Sequence, residues 1–328
     1  MLAGALTLPE SPHPLPAAIL VPGSGSHDRD ERLFNHRPFF TLADCLSAHG
    51  VAVLRLDDRG VGGSTGRKGD ASYEDLATDV TLTVQTLCRD GRVDPARVGL
   101  IGHSQGGHIA ALAAARLDHL AFLALLASPA ISIRDCIHHQ NAVLARQAGH
   151  PDAKIAEVRR LNTALFDLLL NEPDDERAVR RMWDAASAEL QKNLGDEDLL
   201  ATKAQFEPML RGLANAQGRS MLRADPAAAL AGLPCPLLAL YGELDFQVPA
   251  TLNDPAARAA LSRSRSPKWD VETLPHLNHL FQLANTGLPN EYATDTAPMD
   301  PALLHRLTDW LAGVVGCLGY ARPQAASG

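Results

Sequence analysis

Nowhere in this 328-residue chain do two cysteines stand at CxxC spacing, the mark of a redox pair or a zinc site. Its five cysteines (Cys45, Cys88, Cys136, Cys235 and Cys317) are scattered and odd in number. That argues against a complete disulfide framework and leaves reduced thiols as the expectation. Positive charge is short as well: 30 Lys and Arg face 38 Asp and Glu, for a net charge of −8 and a pI near 5.9. Neither nucleic acid nor an anionic membrane surface is therefore an expected partner. Residues 1–16 hold no basic n-region and no apolar h-region, and no apolar run is long enough to span a bilayer. A cytoplasmic protein acting on a small molecule is the expectation. The glycine loops match neither GxxxxGK[ST] nor GxGxxG, so no phosphate cradle is predicted. His138-His139 reads as cap surface rather than as a metal site. No cofactor and no metal are expected.

What the chain does have is apolar material, 46% of its residues, ample for a sizeable core. One short stretch of it is punctuated in a telling way. Val98 to Ile101 reads as a buried strand and Ile109 to Ala115 as a helix, with Gly102-His103-Ser104-Gln105-Gly106 between them. G-x-S-x-G alone arises by chance, but here it has the strand before it and the helix after it that a nucleophile elbow requires. The two glycines permit a sharp turn that presents the Ser104 hydroxyl and leaves the Gln105 amide, at a helix N-terminus, free to stabilise an oxyanion.

Around this centre, apolar runs alternate with helical patterns. Strands are predicted over Leu2 to Leu8, Ala17 to Val21, Val51 to Leu56, His119 to Leu126, Pro236 to Tyr241 and Trp269 to Leu274. Helices are predicted over Pro38 to His49, Ser72 to Arg89, Ala250 to Ser262 and Pro301 to Leu318. Near-continuous apolar strands separated by helices imply a mostly parallel sheet covered on both faces. Sites in such sheets lie beyond the carboxyl ends of the strands. Between residues 131 and 230 no strand pattern occurs. Four helical stretches, Arg134 to Gly149, Asp152 to Leu170, Asp175 to Leu190 and Leu199 to Gln217, read as an inserted cap. The predicted organisation is a core of residues 1–130 and 231–320, a helical cap of 131–230 and a disordered tail of 321–328.

A serine hydroxyl is a poor nucleophile at neutral pH. It needs an imidazole to take its proton and a carboxylate to fix the imidazole. Ser104, Asp245 and His279 occur in that chain order, each just past a predicted strand. Glu243 is an alternative acid and His276 an alternative base, while His279 is expected to open a helical segment after Asn278. His103 should point away from Ser104. Within Pro22-Gly23-Ser24-Gly25, the Ser24 amide is the expected second oxyanion donor. His27 to Glu31 should brace that loop through ion pairs, and Asp57 to Ser64 should form a tight turn in which Arg59 braces neighbouring loops.

These stretches together resemble the α/β-hydrolase superfamily, and within it a bacterial group of serine esterases related to the S33-type serine aminopeptidases. The likeness rests on Leu6 to Pro9, Val21 to Asp30, Leu54 to Ser64, Gly102 to Gly107, Tyr241 to Pro249 and Leu277 to Gln282. It implies the α/β-hydrolase fold, with Ser104 as nucleophile, Asp245 as acid and His279, rather than His276, as base. It further implies ester cleavage through an acyl-enzyme, on short acyl chains. Peptide or thioester cleavage by the same machinery is the rival within enzymes, and a non-catalytic small-ligand binder the rival outside them. Members of the group often carry more sequence before the first matching strand, so either the sheet here is one strand shorter or the start is trimmed.

Overall fold

The computed structural model describes residues 1–191, 196–294 and 297–316. The tail expected to be disordered, and Cys317, lie outside the described residues. Seven strands form one sheet: β1 (Gly4–Thr7), β2 (Leu15–Val21), β3 (Ala52–Leu56), β4 (Val93–His103), β5 (Leu123–Leu126), β6 (Leu237–Gly242) and β7 (Trp269–Leu274). Their order is β1-β3-β2-β4-β5-β6-β7, with β1 antiparallel at one edge and every other pairing parallel. The chain steps from β2 to β3 in one direction and from β4 to β7 in the other, so the order reverses between β2 and β4. Loops leaving the carboxyl ends of two adjacent strands at such a reversal diverge and open a crevice.

The helices are α1 (Pro38–Ala48), α2 (Tyr73–Leu87), α3 (Gln105–Ala114), α4 (Ile133–Gln147), α5 (Asp152–Asn171), α6 (Asp175–Leu190), α7 (Asp196–Ala214), α8 (Ala216–Arg223), α9 (Pro226–Ala231), α10 (Ala250–Leu261), α11 (Pro289–Thr294) and α12 (Pro301–Val315). Among the described residues no helix is long and apolar enough to cross a membrane. One compact unit joins residues 1–66, 76–131 and those from 226 onward; a second joins 67–75 to 132–225.

In the first unit, α1 and α12 lie on one face of the sheet. Phe39, Leu42 and Leu46 of α1 and Leu303, Leu307 and Trp310 of α12 cluster with Leu20, Ile101, Leu126 and Leu240. The intervening strand residues Ile19, Leu100, Leu125 and Ala239 point the other way and are equally buried. There α3 comes so close that a Cβ on its Gly107 would stand 3.2 Å from Leu125. Both sheet faces are thus dry, which is why these strands read as continuous apolar runs. Each fully buried Leu or Ile contributes about 1.5–3 kcal/mol.

The second unit has its own core of Leu165, Phe166 and Leu169 from α5, Val179 and Met182 from α6, Leu210 from α7 and Leu222 from α8. Buried Arg219 joins α8 to its neighbours, donating to Asp175 and to the carbonyls of Ala214 and Leu169.

Three expectations are corrected, and two helices are added. The single helix expected over Leu199 to Gln217 is two, because Asn215 adopts extended backbone and caps α8 by accepting from the Gly218 amide at 2.8 Å. The helices also approach so closely there that a Cβ on Gly218 would meet the Gly212 carbonyl at 2.4 Å. The strand expected from His119 starts at Leu123, since His119 turns its ring to the Ala96 carbonyl. No helix opens at His279. Asn278 Oδ1 instead accepts from the amides of Leu280 and Gln282, and Phe281 takes a left-handed φ of 56°, so the segment is a turn. Finally, α9 and α11, each six residues long, were not foreseen.

Candidate active site

Strand β4 ends at His103 and helix α3 begins at Gln105, which leaves Ser104 alone in the turn at φ 52° and ψ −125°. A left-handed non-glycine residue costs about 1–3 kcal/mol and persists only where its surroundings impose it. Here they do. The Ser104 amide donates to the Leu126 carbonyl at 2.8 Å, and its carbonyl accepts from Gly107 at 3.0 Å. A Cβ on Gly106 would lie 2.1 Å from the Val21 carbonyl oxygen, and one on Gly102 would lie 2.5 Å from the Gly107 Cα. Both glycines of G-x-S-x-G are therefore steric necessities. Ser104 is partly exposed between buried neighbours.

The loop after β2 is the neighbour that the strand reversal predicts. A Cβ on Gly23 would stand 3.2 Å from the Ser104 Cβ. The Gly23 amide is taken, donating to Glu31 Oε1 at 2.6 Å, and the Ser24 carbonyl accepts from His27 Nε2 at 2.6 Å. The amides of Ser24 and of Gln105, the first residue of α3, donate to no acceptor among the described residues.

The acid and base candidates sort themselves by burial. His279 Nδ1 lies 2.8 Å from Asp245 Oδ2, with side chains only 4% and 0% exposed. Asp245 Oδ1 accepts from the amides of Gln247 and Val248, both at 2.8 Å. The carboxylate is thereby aimed, and it accepts the Nδ1 proton of His279, which makes Nε2 the nitrogen able to take another. Glu243 and His276 pair with each other instead, at 2.9 Å from the His276 amide to Glu243 Oε2, and their side chains are 52% and 74% exposed.

The expected brace of the β2 loop is present. Arg29 donates to both oxygens of Asp57, at 3.0 and 2.6 Å, and the His27 amide donates to Asp58 at 2.8 Å. The Arg29 guanidinium holds the Asp57 carboxyl below the usual range. Arg59 makes a two-pronged pair with Asp79 at 2.6 and 2.9 Å. What the linear sequence hid is the pairing of Glu31 with His103. Their contact, Oε1 to Nδ1, is 2.9 Å, and both are buried. Burial alone would raise the Glu31 carboxyl and lower the His103 imidazolium. Their mutual attraction reverses both, holding Glu31 below and His103 above the ordinary value. The His103 and His279 rings lie 4.9 Å apart, centroid to centroid.

A model of the Alpha/beta hydrolase family matches residues 18–288. A stretch of 105 residues is 33% identical to Esterase EstD of Thermotoga maritima; it covers 32% of this chain and spans only 25% of that relative's length. Among solved structures, Est1E from Butyrivibrio proteoclasticus, with ferulic acid bound, superposes with a TM-score of 0.55 at 17% identity over 96% of this chain and 95% of its own. The proline iminopeptidase of Mycobacterium smegmatis gives 0.53 at 19%, over 95% and 94%. At such identities the likeness is one of fold.

Proposed function

The chain belongs to the α/β hydrolase family, and we propose that it is a serine hydrolase that cleaves carboxylic esters of short acyl chains through an acyl-enzyme. Ser104 attacks the carbonyl carbon. His279 takes the hydroxyl proton at Nε2 and returns it to the leaving alcohol, while Asp245 holds the ring and stabilises the imidazolium. The amides of Ser24 and Gln105 receive the oxyanion. One such donor typically contributes about 2.7–4 kcal/mol to the transition state. Water, activated by the same imidazole, then releases the acid. The observation that carries this reading is the dry 2.8 Å contact of His279 Nδ1 with Asp245, which the exposed Glu243–His276 pair does not duplicate.

Ester rather than amide cleavage is favoured by the likeness to EstD, which is named an esterase. The helical segment of residues 131–230 belongs to the proposal as an inserted cap. Its basis is its point of insertion, after the carboxyl end of β5.

The test is hydrolysis of p-nitrophenyl acetate, butyrate and octanoate by the wild type and three variants. Ser104→Ala and His279→Ala are expected to lose about 10⁴-fold or more in kcat, and His276→Ala to keep its rate. Turnover should fall from butyrate to octanoate. A Ser104→Ala variant as fast as wild type overturns the reading. Faster turnover of prolyl p-nitroanilide than of any ester replaces it with a peptidase.

A further inference from the structure

One imidazole ties together three segments far apart in sequence. The His103 ring precedes the candidate nucleophile by one residue. Its Nε2–H donates to the backbone carbonyl of His279 at 3.1 Å, and its Nδ1 meets Glu31 Oε1 at 2.9 Å. The same carboxylate oxygen accepts the Gly23 amide at 2.6 Å. The elbow, the β2 loop and the turn that carries His279 are thus joined through a single side-chain pair. We propose that Glu31 and His103 are positioning residues that set the oxyanion loop and the imidazole-bearing turn in register with Ser104. The proposal rests on the hydrolase reading above.

The proton inventory supports a defined link. A backbone carbonyl only accepts, so Nε2 carries a proton. One further proton lies on the line between Nδ1 and Oε1, and it makes that contact a bond whichever partner holds it. Energetics point to position rather than stability. Glu31 and His103 are only 3% and 7% exposed. Exchanging a buried ion pair for well-packed apolar groups is often neutral or stabilising, so stability gives no reason to keep one here. Glu31 Oε2 is buried without a hydrogen-bond partner, and Glu31 itself sits at a left-handed φ of 52°. What the arrangement does achieve is selection among loop amides. With its amide engaged by Glu31, Gly23 is removed as an oxyanion donor, and Ser24, the next residue, is left as the donor. There is no slack, since a Cβ on Gly23 would stand 3.2 Å from both Glu31 Oε1 and the Ser104 Cβ.

Glu31→Gln, His103→Gln and the double variant, each full length, are compared with wild type on p-nitrophenyl butyrate, with thermal melting as the check on folding. Each single variant is expected to lose about 10²-fold in kcat, as a small misplacement of catalytic groups does. KM should stay within about twofold, because ground-state binding is untouched. The double variant should be no slower than the worse single one, since both break the same link. A folded single variant with wild-type kcat overturns the proposal, as does a double variant whose losses multiply. Ser104→Ala is run alongside: should it keep activity, the hydrolase reading fails instead. Where a variant does not fold, wild-type protein with ¹⁵N-labelled histidine decides. A protonated His103 Nε2, identified through contacts from the ring to Gly23, is required, and an unprotonated one overturns the link.

Discussion

Asp245 does two jobs with two oxygens, and the division makes a sharp experiment. Oδ1 accepts the Gln247 and Val248 amides, while Oδ2 faces His279 Nδ1. In Asp245→Asn the two amides dictate that the carbonyl oxygen keeps the Oδ1 position, so the NH₂ group turns towards His279. It then donates to Nδ1, which drives the ring proton to Nε2, the atom that has to receive the proton of Ser104. The fold has no reason to change, because shape and the amide bonds persist. A loss of about 10⁴-fold in kcat is expected, with an unaltered circular dichroism spectrum. A loss below tenfold in steady-state assays would show that the carboxylate does not govern the tautomer.

At the scale of elements, the weak point is where helices meet the carboxyl end of β5. Asn253 of α10 is fully buried; its Oδ1 accepts the Ala130 amide at 2.8 Å and the Ile131 amide at 3.3 Å, and its Nδ2 donates to Pro249 at 3.0 Å. Asn253→Ala strands the Ala130 amide in a dry site and should cost about 1–3 kcal/mol, read from urea unfolding monitored by tryptophan fluorescence. An unchanged midpoint would mean that the loop after β5 finds another acceptor. This join was not legible in the sequence, because its partners lie 123 residues apart. The strands were legible, since a sheet buried on both faces writes itself as apolar runs. The elbow was legible because sterics leave glycine no substitute at positions 102 and 106. By contrast, Asp245–His279 and Glu243–His276 look alike in sequence, both following strands β6 and β7. Burial separates them, and burial belongs to the assembled fold. The break at Asn215 was hidden because a helix-compatible run continues on both sides of the capping residue.

Across the whole molecule, stability should record the Glu31–His103 pair as a function of pH. Glu31 sits below its ordinary 4.5 in the folded chain. Its contribution is therefore complete above that value and lost as pH falls through the lowered folded one. His103 sits above its ordinary 6.5, so its contribution is complete below 6.5 and lost as pH rises through the raised folded value. The pair thus stabilises most between the two ordinary values and less on either side. Other groups overlie this pattern. His138 and His139 are lowered by burial and by nearby arginines, so their contributions fall as pH drops below 6.5, and Asp57 adds an acid limb below 3.8. All of these titrate alike in wild type and in His103→Gln, so subtracting the two unfolding free energies isolates the pair. The difference, from urea midpoints across a pH series, should be greatest between 4.5 and 6.5. It should shrink in both directions. A difference that is flat across the series, or that keeps growing as pH rises beyond 6.5, would mean that the two side chains do not hold a shared charge in the folded protein.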